Sequence, residues 1–130
     1  MLDFRIDSAS GLAPYAQLVQ QVKQALRLGW LQPGDKLPTV HEVAASVAIN
    51  PNTVQKAYKE LEHEGLVTGR PGQGTFVQRS LAQSSPGSLS LLTRRIQRWI
   101  VAAREAGLDD EGIMDVVRAA LRQSQAEASA

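Results

Sequence analysis

The sequence predicts a mainly α-helical chain with one small β-hairpin, in which a larger N-terminal unit is followed by a short pair of helices. Three observations predict it. Apolar residues recur at intervals of three and four in separate stretches along the chain, the mark of helices that each bury one face. Two short β-prone runs enclose the loop Gly69, Arg70, Pro71, Gly72, Gln73 and Gly74, which describes a hairpin. After the hairpin, residues 78–89 shift to Ser, Gln, Pro and Gly, the composition of a linker.

The first helix starts at Pro14, a residue favoured in an opening turn. Tyr15, Leu18, Val22, Ala25 and Leu26 form its buried face, and Gly29 ends it. Gln32, Pro33, Gly34 and Asp35 then make a tight turn, because Pro fixes φ and Gly tolerates positive φ. Thr39 and Glu42 have the spacing of a capping box. The short second helix that they open carries Val43, Ala44 and Val47 on its apolar side. Asn50 is an N-cap type and Pro51 takes the first position of a third helix. That helix runs to Glu64, with Gly65 as its left-handed cap.

Only Ala48, Ile49 and Asn50 separate the second and third helices, the spacing of a helix-turn-helix. Leu66, Val67 and Thr68 pair across the loop with Thr75, Phe76 and Val77, and a hairpin in that place is a wing. Two helices follow the linker. Leu92, Ile96, Trp99, Ile100 and Ala103 share one face of the first, which Gly107 caps. Ile113, Val116, Val117, Ala120 and Leu121 share a face of the second, which opens at Asp109 or Asp110 and frays from Gln123. The expected organisation is a winged helix-turn-helix over residues 1–77, a linker over 78–89 and a two-helix dimerisation segment over 90–126.

Composition narrows the function classes. The chain has 130 residues, an ordinary apolar share of 43% and a net charge of +1, so a nucleic-acid role must rest on where charges sit. No apolar run approaches the roughly 18 residues of a membrane span, and the N-terminus lacks the pattern of a signal peptide. There are no cysteines, hence no disulfide framework and no thiolate zinc site. A cytoplasmic protein with no cofactor is expected. Two histidines without cysteine partners make a metal site an unfavoured reading. No nucleophile with its base, carboxylate pair or phosphate-cradling motif is visible, so catalysis is not expected. Gly72, Gln73 and Gly74 precede a strand rather than a helix, unlike a dinucleotide fingerprint.

The third helix carries the sharpest functional signal. At roughly 100° per residue, Val54, Ala57, Tyr58 and Leu61 form one stripe while Asn52, Gln55, Lys56 and Lys59 centre on the opposite side. That outer stripe holds amides and ammonium groups and no acid. Asn and Gln pair bidentately with adenine in the major groove, and Lys reaches guanine or phosphate. A solvated helix face is the bland alternative. The neighbouring helix and wing favour the DNA reading. In the wing, Arg70 and Gln73 beside Gly72 and Gly74 suit close approach to a minor groove or phosphate, whereas a plain hairpin turn accounts for the glycines but not for Arg70. His41, at the start of the second helix, is either a phosphate or base-edge contact or a surface residue. His63, near the end of the third, is structural.

Residues 14–77 resemble the DNA-binding domain of the GntR family. The likeness is carried by Pro14 and Tyr15, by the run from Pro33 to Thr39, by the run from Asn50 to Val54, by Ala57, Tyr58, Lys59, Glu60 and Leu61, and by Glu64 to Val67 and Gly72 to Val77. The short helical C-terminus resembles the YtrA subfamily, which lacks a large effector domain. The resemblance implies a dimeric repressor with its recognition helix in the major groove and its wing in the minor groove. By position it assigns contacts to His41, Asn50, Asn52, Thr53 and Gln55, and to Gly72, Gln73, Gly74 and Thr75. The family usually has Arg where His41 stands, and many members outside the subfamily have Arg where Gln55 stands, which shifts the expected base preference. YtrA-like control often concerns ABC-transporter operons.

The C-terminal pair of helices is about 35 residues long, too short for an independent core. Leu92, Ile96, Trp99, Ile100, Ile113, Val116, Val117 and Leu121 therefore need a partner surface, expected to be the same patch on a second copy. Packing back onto the winged unit is the alternative. Two-fold symmetry implies a pseudo-palindromic operator of double-stranded DNA with half-sites about one helical turn apart. Arg94, Arg95, Arg98 and Arg104 read as a solvated, salt-bridged face. A small-molecule effector would have to bind the dimer interface or the hinge. Two other classes compete. A winged helix used for protein assembly would carry apolar anchors on the outer stripe, and a non-specific DNA binder would have a larger basic excess.

Overall fold

The computed structural model describes residues 2–129, in the order α1 (Pro14–Arg27), α2 (Val40–Val47), α3 (Pro51–His63), β1 (Val67–Arg70), β2 (Gly74–Val77), α4 (Pro86–Glu105) and α5 (Asp110–Ser129). The chain divides into two units between Pro86 and Gly87.

In the first unit, α1 packs along α3, with Leu18, Val22, Ala25 and Leu26 fully buried alongside Val54, Ala57 and Leu61. Burial of one such aliphatic side chain contributes on the order of 2 kcal/mol. The start of α2 is fixed by a complete capping box: Thr39 Oγ1 accepts from the Glu42 amide at 3.1 Å, and the Thr39 amide donates to Glu42 Oε1 at 3.2 Å. Asn50 caps α3 by accepting the Asn52 amide at 2.8 Å. Between them Ala48 turns the chain in the left-handed region, at φ 56° and ψ 49°.

Two features differ from the sequence reading. The hairpin is tighter: β1 and β2 pair antiparallel with Val67 opposite Val77 and Arg70 opposite Gly74, so Gly69, Arg70 and Gly74 are strand residues and only Pro71, Gly72 and Gln73 turn. The segment after the Pro33 turn adds a third edge to this ribbon. Lys36 bridges Phe76, the Leu37 amide donates to the Thr75 carbonyl at 2.8 Å, and the Val77 amide donates to the Asp35 carbonyl at 2.8 Å. The N-terminal segment packs into this same unit. Phe4 is buried in the core, and Gln17 clamps the segment by accepting from the Asp7 amide and donating to the Asp7 and Leu12 carbonyls.

The second unit begins inside the stretch read as a linker. Ser85 and Pro86 are themselves a helix-start pair, and the polar composition around them concealed it. Helix α5 continues to Ser129, which corrects the expectation of fraying from Gln123. Gly107, at φ 99°, breaks the chain between α4 and α5. An exposed ion pair of 2.7 Å joins Arg104 to Asp110 across this turn. The helices do not close on one another along their length. Among the described residues of this unit, only Ala103 and Ile113 are buried apolar side chains, one on each side of the turn.

Candidate nucleic-acid interface

Helix α3 is anchored by one face and presents the other. Val54, Ala57, Tyr58 and Leu61 are buried, whereas Asn52, Gln55, Lys56 and Lys59 are exposed. Thr53 is half-buried and its amide donates to the Asn50 carbonyl at 2.9 Å. Asn50 is exposed, but its side-chain oxygen is committed to capping. Lys56 is the most constrained of the stripe: its Nζ lies 3.9 Å from the centroid of the Tyr15 ring at the start of α1, an attractive cation–π geometry. His41 is exposed in the first turn of α2.

The angle between α2 and α3 is held by a hydrogen bond that crosses the unit. The Tyr58 hydroxyl donates to the Pro38 carbonyl at 2.6 Å, just before the cap of α2. Burial, and then the nearby Glu42 charge, push the Tyr58 phenol well above its ordinary range, so it stays a donor. The Glu42 carboxyl is held below its ordinary 4.5, first by the hydrogen bond from Thr39.

The wing is built from backbone and two cations. Gly72 turns at φ 74°, and the Gln73 amide closes the turn on the Arg70 carbonyl at 2.9 Å. The Arg70 guanidinium sits 4.5 Å over the Phe76 ring. Gln73 is exposed and Thr75 half-buried, the latter with its carbonyl used by the Leu37 amide. The base of the wing is tied to α3, because Glu62 Oε2 accepts from the Gly69 amide at 3.0 Å. Gly74 has φ 124°, and a Cβ there would stand 2.7 Å from Lys36 Cε. The Lys36 stem therefore occupies the space that a side chain at Gly74 would need.

Sequence reasoning missed Tyr15, Lys36, Tyr58 and Glu62 as parts of this surface. Tyr58 was legible as core and Lys36 as part of a turn-following run, but their partners are 20 and 38 residues distant (Tyr58 to Pro38, Lys36 to Gly74), and no local pattern encodes such pairs.

In the second unit, Ile96, Trp99, Val116, Val117, Ala120 and Leu121 line an apolar groove of about 310 Å³. Leu92, Ile96, Trp99, Val116 and Leu121 are exposed within one chain, and Ile100 and Val117 are half-buried. Ile113, read from sequence as an interface residue, is instead buried within the protomer. Its position one turn inside α5 puts it against the corner. Among the described residues there is no cluster of potential metal ligands, and no helix is long and apolar enough to cross a membrane.

Residues 14–77 match the model of the bacterial regulatory proteins of the gntR family. Over 115 residues the chain is 36% identical to the HTH-type transcriptional repressor YtrA of Bacillus subtilis (strain 168), covering 88% of each protein. Its fold is similar to that of YtrA from Sulfolobus acidocaldarius, a GntR-family transcription factor, with a TM-score of 0.54 and 30% identity over 72% of this chain and 95% of that one. The DNA-binding domain of AraR, solved in complex with operator ORX1, gives a TM-score of 0.53 at 27% identity, over 56% of this chain and 93% of that one.

Proposed function

We propose that this chain, which belongs to the GntR family of bacterial regulatory proteins, is a homodimeric repressor that binds a pseudo-palindromic operator. One observation carries the reading. The exposed face of α3 presents Asn52, Gln55, Lys56 and Lys59 without an acid, while its opposite face is locked into the core. A helix so held can enter a major groove as a rigid body, where amides read adenine and ammonium groups read guanine or phosphate. Asn50 and Thr53 lie at the start of α3 and His41 in the first turn of α2, and Arg70 with Gly72, Gln73, Gly74 and Thr75 would follow the adjacent minor groove. The likeness to a domain solved on its operator supports the same placement.

Dimerisation is the second half of the proposal. The open groove between α4 and α5 exposes Trp99 and Leu121 to water, a cost that a second copy of the same groove removes. Binding chromosomal DNA places the protein in the cytoplasm, and the YtrA likeness suggests an ABC-transporter operon as the regulated target. An effector, where one exists, would act at the dimer groove.

Fluorescence anisotropy with DNA from upstream of the protein's own gene, against a scrambled duplex, tests the reading. A preference on the order of a thousandfold, reduced in Gln55→Ala, is the expected result. Equal and steeply salt-dependent affinity for both duplexes would replace it with non-specific binding.

A further inference from the structure

The wing carries more charge than its loop sequence suggests, and the charge is arranged. Residues opposite one another in an antiparallel pair share a face. Thr68 opposite Phe76, Arg70 opposite Gly74, and Lys36 bridged to Phe76 therefore put Lys36, Phe76, Gly74 and Arg70 on one face of the two-stranded hairpin and its bridged edge. The other face holds Val67 and Val77, which are buried. On the outer face the two cations lean diagonally toward the middle strand. Arg70, opposite Gly74, stacks back on Phe76 at 4.5 Å. Lys36, opposite Phe76, runs its stem across Gly74, with Cε and Nζ 2.7 Å and 3.6 Å from where a Cβ would stand.

Among the described residues neither cation makes a salt bridge. Both are exposed, and their strands are two spacings apart, roughly 10 Å. Two exposed cations on one face of the wing, Arg70 over the Phe76 ring and Lys36 over the bare backbone of Gly74 with Glu42 in electrostatic reach, favour an anion alongside them. On the DNA-binding reading above, on which this inference rests, that anion is a backbone phosphate flanking the groove that the wing enters.

We propose that Lys36 is a phosphate-binding residue of the wing, acting with Arg70 across the bare backbone of Gly74. Glycine suits position 74 because an L side chain is strained at its φ of 124°, and a Cβ there would displace the flexible end of Lys36. The contact carries no base information, so it contributes to affinity for any duplex and not to sequence preference.

The test measures anisotropy at several salt concentrations on the upstream duplex and on the scrambled one, for wild type, Lys36→Gln and Lys36→Arg. Each phosphate contact contributes about 0.9 to the slope of log K against log salt concentration. Lys36→Gln is expected to lower that slope by about 0.9 on both duplexes and to leave the ratio of their affinities unchanged. Lys36→Arg is expected to keep the wild-type slope. A Lys36→Gln protein that melts like wild type and keeps the wild-type slope overturns the proposal. A lost ratio with an unchanged slope also overturns it, since Lys36 would then be reading bases. Wild type without preference for the upstream duplex counts against the operator reading instead, and the slope on the scrambled duplex still decides the role of Lys36.

Discussion

The Tyr58 hydroxyl, buried on the inner face of α3, donates a 2.6 Å hydrogen bond to the carbonyl of Pro38, the residue before the cap of α2. One side chain thereby belongs to the core of α3 and to the entry of α2. Tyr58→Phe keeps the ring and removes the bond. It is expected to destabilise the unit by about 1 kcal/mol, a fall in melting temperature of roughly 5 °C, with the preference for specific DNA retained well below the transition. An unchanged melting temperature would mean that water replaces the hydroxyl at no net cost.

Glu42 gives a pH dependence with a definite sign. Its folded-state pKa lies below the ordinary 4.5, so its contribution is fully present above that value and is lost as pH falls through the lowered one. Thermal melts of wild type and Glu42→Gln should differ at neutral pH, with wild type the more stable, and should converge as pH falls below the lowered pKa, where both side chains are neutral. A constant difference across this range would assign the effect to shape rather than charge.

Ala48 holds a left-handed backbone at φ 56° that an L side chain adopts at a cost of about 1 kcal/mol. Ala48→Gly relieves it, and relief exceeds the added freedom of the unfolded chain. The expected gain is about 0.5 kcal/mol with unaltered operator affinity, read by denaturant unfolding. A loss of stability would show that this turn gains more from Ala48 than it loses to strain.

Trp99 is 37% exposed in one chain and lines the groove between α4 and α5. Trp99→Ala should weaken self-association by at least tenfold, since truncating a buried interface aromatic costs roughly 2 kcal/mol or more, and should weaken operator binding with it. Sedimentation that finds the same dimer at the same concentration would remove Trp99 from the interface.

Much of this architecture was legible because it is written in local rules. The Thr39–Glu42 box, the Asn50–Pro51 start and the Gly65 stop act within a few residues, and the stripes of α1 and α3 follow from a period of 3.6. The helix start at Pro86 was equally local, yet its surroundings have linker composition and masked it. Composition averages over a window, whereas a cap is a property of one or two residues.

The sequence by itself determined the helix-turn-helix, the wing, the amide and lysine stripe on α3 and the family to which these belong, because periodicity, capping and turn chemistry depend on neighbours along the chain. Only the tertiary structure decided which residues those elements share. It placed Lys36 over Gly74, Arg70 on Phe76, Lys56 on Tyr15 and Tyr58 under Pro38. It also buried Ile113 at the corner of α4 and α5 while leaving Trp99 and Leu121 open. Apart from Arg70 and Phe76, which meet across one hairpin, these pairings join residues far apart in sequence, and the packing that creates them is set by how whole faces meet, which a local pattern does not encode.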